Sequence, residues 1–232
     1  MSKDNQSVSM DSVKAASTED NSGWRKILSL GLFYKAVQFV FSEKNSKTFI
    51  LENYINAIGP DCRILDIGCG PGNLLEFMPT SVNYVGFDVN ENYISAAIRN
   101  NADRQNALFL LGNTKEMFES PELPDASVDV AIIHGVFHHV TDDIASEMIQ
   151  LAQKKLKAGG KLLTLEPVWF EGQSRFRKWV MSKDRGKNIK TEASWKQLYR
   201  NHSEDWVDIN FDVRGDLIRF YDLLVTELIR SK

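Results

Sequence analysis

LDIGCGPGN, residues 65–73, sets three glycines at alternate positions directly behind an apolar run that carries an aspartate. Glycine tolerates positive φ and, lacking a Cβ, lets the backbone approach a ligand closely. A strand ending at Asp66, a turn through Gly68, Gly70 and Gly72, and a helix beginning near Asn73 would leave room for a nucleotide-like cofactor. The spacing is G-x-G-x-G, not the dinucleotide G-x-G-x-x-G, which disfavours a nicotinamide dehydrogenase. A second feature sharpens the reading. Asp88 stands 22 residues after Asp66, at the end of the next apolar run, where a carboxylate can accept hydrogen bonds from both hydroxyls of a ribose.

Working outward, RILDIG (63–68), NYVGFDV (83–89), ALFLLG (107–112), SVDVAII (127–133) and GKLLTLE (160–166) are short apolar runs of strand length. The segments between them are long enough for helices, which predicts a parallel sheet covered on both faces. WVDINFDV (206–213) and YDLLVTELI (221–229) are joined too tightly for a crossover helix, so that pair should be antiparallel. Ahead of the sheet, Trp24 to Ser42 is densely apolar without strand-like alternation and Ser46 to Ile58 has helical spacing, so both read as helices, and the serine-rich residues 1–23 read as a disordered tail without the apolar core of a signal peptide. The expected organisation is a tail (1–23) and one domain (24–232), with N-terminal helices acting as a lid (24–58) and a recognition insertion at 168–200.

The 232 residues are 43% hydrophobic and 25% charged, with a net charge of −3. That composition suits one soluble domain and argues against a protein built as a whole to grip nucleic acid. The two cysteines, Cys62 and Cys69, give neither a disulfide framework nor a zinc pattern, and the expected location is the cytoplasm.

Five motifs in order resemble the class I S-adenosylmethionine-dependent methyltransferases: ILDIGCGPGNLL, YVGFDVN, LGNTKEM, SVDVAIIHGVFHHV and LKAGGKLLTLEP, covering roughly residues 47–167. The resemblance is to a bacterial branch of small, single-domain members. It implies a Rossmann-like α/β fold, a seven-stranded, mostly parallel sheet whose antiparallel seventh strand lies between strands 5 and 6. It implies S-adenosyl-L-methionine as cofactor and S-adenosyl-L-homocysteine as product. Asp66, Gly68, Cys69, Gly70 and Gly72 would then surround the methionine part, Asp88 hold the ribose, and Val89, Asn113 and Thr114 meet the adenine. The backbone of His134 and Gly135 would line the methionine end. Asn113 stands where an aspartate is common, and its amide oxygen can still accept a hydrogen bond.

His134, His138 and His139 crowd one loop, but no acidic or sulfur ligand accompanies them at helical pitch, so no metal is expected. His138 or His139 is a candidate general base for a hydroxyl acceptor, with Glu166 as another. From Arg175 to Lys190 the chain carries seven cations against the single acid Asp184, with Phe176 and Trp179 interleaved. A solvated helix face would look the same; the functional alternative is capture of an anionic acceptor by Arg175, Arg177 and Arg185, with Tyr34 contributing from the N-terminal segment. RNA is the weaker option because the patch is small. The reading is therefore methyl transfer to a hydroxyl or amine of a small anionic metabolite or glycan intermediate. Its alternative is a cofactor-binding partner protein without catalysis. No membrane span is present, and the oligomeric state is open.

Overall fold

The computed structural model describes residues 44–59, 61–184 and 186–231. The chain divides into two units, Met1–Val40 and Phe41–Lys232, and the described residues all belong to the second. The predicted tail and the helix at 24–42, with Tyr34, lie outside the described residues, as does Arg185.

Strands β1 (Arg63–Ile67), β2 (Asn83–Asp88), β3 (Ala107–Leu111), β4 (Val128–His134) and β5 (Leu156–Trp169) form the parallel part of the sheet. After the two-residue β6 (Lys190–Thr191), β7 (Trp206–Ile218) and β8 (Tyr221–Arg230) close the chain as an antiparallel hairpin. The order is β3-β2-β1-β4-β5-β8-β7, with β6 pairing β5 off that path. β8 runs antiparallel to β5, so the antiparallel strand does lie between the fifth strand and the strand preceding it in sequence.

Alternation along the strands explains the two cores. On one face Leu65, Ile67, Val85, Phe87, Ala131 and Ile133 pack against α4 (Asp142–Lys155) and α6 (Glu192–Arg200). On the other, Ile64, Tyr84, Val130, Ile132, Leu163 and Leu165 pack with Ile50 and Ile55, from α1 (Lys44–Ile50) and the π-helical turn that continues it. Strands buried on both faces need continuous apolar runs, which is how they read in the sequence.

One expected element is missing. The helix placed near Asn73 is only a 3₁₀ turn, Leu75–Phe77. Pro79 disfavours helical geometry at the residue before it, and Met78 is extended, with ψ 143°, so too few residues remain after Gly72 for an α-helix. The remaining helices are α2 (Glu91–Asn100), α3 (Thr114–Phe118) and α5 (Arg175–Met181). Among the described residues no helix is long and apolar enough to cross a membrane.

Candidate active site

The three glycines serve different needs. All have positive φ: 74° at Gly68, 54° at Gly70 and 75° at Gly72. A Cβ on Gly68 would strike the Val136 side chain at 2.7 Å, and one on Gly72 would strike Asn101 at 2.8 Å, so these two are required by packing within the protein. At Gly70 a Cβ would meet nothing within 4 Å. That position opens onto space, where a ligand can meet bare backbone.

The turn is fastened to β2. The Gly68 and Cys69 N–H groups donate to the Phe87 carbonyl, and the Gly70 N–H donates to Asp88 Oδ2 at 3.0 Å. Asp88 Oδ1 accepts from the Asn90 N–H at 2.8 Å. The carboxylate is thus aimed by two backbone donors. Beside it Val89 is 66% exposed, an apolar surface at a strand end with its face to solvent. Asn113 caps α3: its side chain accepts from the Glu116 N–H while Glu116 Oε2 accepts from the Asn113 N–H. This reciprocal cap orients the amide, and Thr114 is buried directly behind it.

Asp66 is buried beneath the turn and accepts a hydrogen bond from the Tyr84 hydroxyl. Burial pushes its carboxyl up to about 7; Tyr84 and Lys47 oppose the rise and Asp88 adds to it. A cationic amino group docking nearby would favour the ionised form. Cys69 is buried too, its thiol raised by burial and by Asp66 and Asp88, so it packs and is not a nucleophile.

At the end of β4, Gly135 turns with φ 69° and donates to the Leu165 carbonyl, beside half-buried His134. The backbone then folds over a fully buried carboxylate, Glu166 of β5. Glu166 Oε1 accepts from the Val136 and Phe137 N–H groups at 2.9 and 2.8 Å. Oε2 accepts from the His138 N–H at 3.3 Å and lies 2.7 Å from His138 Nδ1. On the other side of the ring, Nε2 faces Asp184 Oδ1 at 3.6 Å. Burial alone would lower the pKa of His138, but the carboxylates of Asp184 and Glu166 override it and hold it at about 9. Burial likewise opposes the charge on Asp184, yet His138, the Gly186 N–H and the Tyr221 hydroxyl keep its carboxyl below the usual range.

This geometry corrects several sequence expectations. Asp184 and Glu166 favour the protonated form of His138 and face both of its ring nitrogens, which argues against its use as a general base. Glu166 is closed off by its own donors. His139 remains: it is exposed, with its ring 4.0 Å from that of His138. The histidines do acquire an acidic neighbour that spacing could not show, since ligand atoms of His138, His139 and Asp184 lie within 4.8 Å of one another. Arg177 points inward, pairing with Asp222 at 2.7 Å and donating to the Tyr221 and Gly215 carbonyls. It therefore anchors α5 to the β7–β8 hairpin, while Arg175 is exposed at the start of α5.

Residues 58–206 match a family profile described as a methyltransferase domain. The chain belongs to that family. This methyltransferase depends on S-adenosylmethionine, and the open Gly70, the aimed Asp88 carboxylate and the exposed Val89 fit that cofactor. Similar solved structures share the fold at low identity. A SAM-dependent methyltransferase from Archaeoglobus fulgidus has a TM-score of 0.64 and 17% identity, over 85% of this chain and 100% of its own. The geranyl diphosphate C-methyltransferase of Streptomyces coelicolor has 0.57 and 14%, over 75% and 71%. A Haemonchus contortus phosphoethanolamine N-methyltransferase has 0.62 and 16%, over 81% of this chain and 53% of its own.

Valine at position 70 should abolish cofactor binding, at least 100-fold by calorimetric titration, because a branched side chain would fill the open side of the turn. The left-handed φ also costs about 1–2 kcal/mol in stability, so melting should fall modestly while binding fails. A folded Gly70→Val protein with ordinary affinity would move the cofactor away from this turn.

Proposed function

We propose that the methyltransferase transfers a methyl group to a hydroxyl or amine of a small anionic metabolite or glycan intermediate. When bound, S-adenosylmethionine supplies a methyl already activated on a sulfonium, so the chain's own work is alignment and exclusion of water. Asp66, Asp88 and the Gly68–Gly72 turn hold the donor in this reading, with Val89, Asn113 and Thr114 at the adenine and the His134–Gly135 backbone at the methionine end. His139 takes the proton from a hydroxyl acceptor; an amine needs positioning only.

The observation that carries the acceptor class is the charge around α5. Arg175, Lys178 and Lys183 stand exposed, and among the described residues no acid pairs with them. Lys178 also lines an open cleft at the C-terminal end of β5 with Trp169, Phe170, Glu171, Thr191, Glu192 and Lys196; Lys196 is paired with Glu192, which leaves Lys178 as the cation without such a partner among the described residues of the cleft. None of the cleft residues belongs to the glycine turn, so in this reading donor and acceptor are held by separate elements. Two fold neighbours support the class by what they act on: geranyl diphosphate and phosphoethanolamine both bear phosphate. Arg175 and Arg185 are the arginines we assign to the acceptor.

The test is methyl transfer, followed by mass spectrometry, to paired acceptors that differ only in a phosphate or carboxylate. Charged members should react preferentially, and the preference should shrink as salt rises. Equal turnover of neutral members would overturn the anionic reading. For a hydroxyl acceptor, His139→Gln should lower kcat about 100-fold with unchanged cofactor affinity. Retained kcat on that acceptor would remove His139 from proton transfer.

A further inference from the structure

The outer face of α5 carries a feature that donor binding and acceptor capture leave unexplained. Phe176 and Trp179 are 54% and 59% exposed, one helical turn apart, with rings stacked at 6.2 Å. Phe220 joins them from the tip of the β7–β8 hairpin, its ring edge-on to Phe176 at 5.2 Å. Phe220 has φ 68°, a left-handed conformation that a bulky aromatic residue rarely adopts. Backbone strain is thus accepted at a hairpin tip where glycine or asparagine would be at ease, and the outcome is a third aromatic ring in the patch. The Arg219 guanidinium covers the Phe220 ring at 4.7 Å.

The charge of this face is mainly positive, and its one largely exposed acid, Asp216, is paired with Arg214. The acids of residues 174–187 and 214–222 are Asp184, Asp216 and Asp222, and each has an internal partner. Asp184 is held by Tyr221 and Gly186, Asp216 by Arg214, and Asp222 by Arg177 and Gln173. The exposed cations of these two segments are Arg175, Lys178, Lys183, Lys187 and Arg219, with Arg175 and Lys178 on the same helix as Phe176 and Trp179 and Arg219 against Phe220. The inner face of α5, with Val180 and Met181, is buried, so the helix lies flat on the domain and presents only its aromatic and basic side.

We propose that this face is a peripheral contact for an anionic membrane surface, with Phe176, Trp179 and Phe220 entering the headgroup region and the cations engaging lipid phosphates. Aromatic rings ringed by arginine and lysine match the amphipathic character of that interface. Charge also discriminates among occupants. A second copy would bring an identical basic face against this one. The apolar segment Trp24–Ser42 carries Arg25, Lys26 and Lys35 and no acid, so it does not complement the patch either. An anionic bilayer complements both. Arg175, Lys178 and Lys183 also enter the acceptor reading, so the test uses Phe176, Trp179 and Arg219, which do not.

The test is co-sedimentation of the full-length protein with vesicles of phosphatidylcholine alone and of phosphatidylcholine with about one-third phosphatidylglycerol. Binding is expected to the anionic vesicles only and to weaken in high salt. Phe176→Ser with Trp179→Ser, and separately Arg219→Glu, should each reduce partitioning about tenfold or more while melting temperature and S-adenosylmethionine affinity stay unchanged. Absence of binding to anionic vesicles overturns the proposal, as does full binding by the aromatic double variant. So does a result in which the patch variants change the oligomeric state, or binding of an RNA oligonucleotide, and leave vesicle binding alone. Failure here leaves the preference between charged and neutral soluble acceptors untouched, so the two results are distinguishable.

Discussion

Asp88→Ala should weaken S-adenosylmethionine binding by about 100- to 1000-fold in a protein that still folds. A hydrogen bond to a charged group contributes about 1.5–3 kcal/mol, and in the proposed site the carboxylate at the end of β2 accepts from the ribose hydroxyls. Alanine has a second effect, because Asp88 also fixes the Gly70 and Asn90 N–H groups. The glycine turn would lose the anchor that holds its open position toward the ligand. Asn at the same site keeps the shape and loses the charge, so its affinity should fall between wild type and Ala. Calorimetric titration beside a thermal melt measures both quantities. An Ala variant that melts normally and binds normally would remove Asp88 from the ribose site.

Glu166→Gln should destabilise the domain by about 3–5 kcal/mol, the usual consequence of removing one partner from a buried ion pair. The amide would face three backbone donors and the His138 ring with one acceptor fewer and no charge. A pH signature separates this from a generic core defect. His138 has a folded pKa of about 9 against an ordinary value of 6.5, so the folded state binds the extra proton between those limits. Its contribution is fully present below about 6.5 and is lost as pH rises through 9. Denaturant titrations of wild type across that window should show stability falling, and the Gln variant should show a flatter profile. Equal slopes in the two proteins would mean that the Glu166–His138 pair does not set the protonation.

Much of the architecture was legible in the sequence because strands buried on both faces appear as apolar runs, and because a short link forces the last pair to be antiparallel. The glycine turn and Asp88 were legible for a related reason, since both act through backbone geometry at the ends of adjacent strands. What spacing could not show was long-range pairing. Glu166 and Asp184 lie far from His138 in the chain, and only folding makes one a buried cradle and the other a counter-ion. The signals were faint: a carboxylate within the apolar LLTLEP run, and one acid in an otherwise basic insertion. Arg177 misled for the opposite reason, because a cation in a basic stretch reads as solvent-facing until its Asp222 partner is known. The absent helix after Gly72 was readable in principle from Pro79, which the glycine pattern overshadowed.

The claim on which the rest depends is that the cofactor lies across the C-terminal ends of β1, β2 and β4. A crystal structure with S-adenosylhomocysteine measures this directly. The account predicts both ribose hydroxyls within hydrogen-bond distance of Asp88, adenine against Val89, and the homocysteine part passing Gly70 toward the His134–Gly135 backbone. Density for the nucleoside at any other place, with the Gly68–Gly72 turn empty, would contradict it.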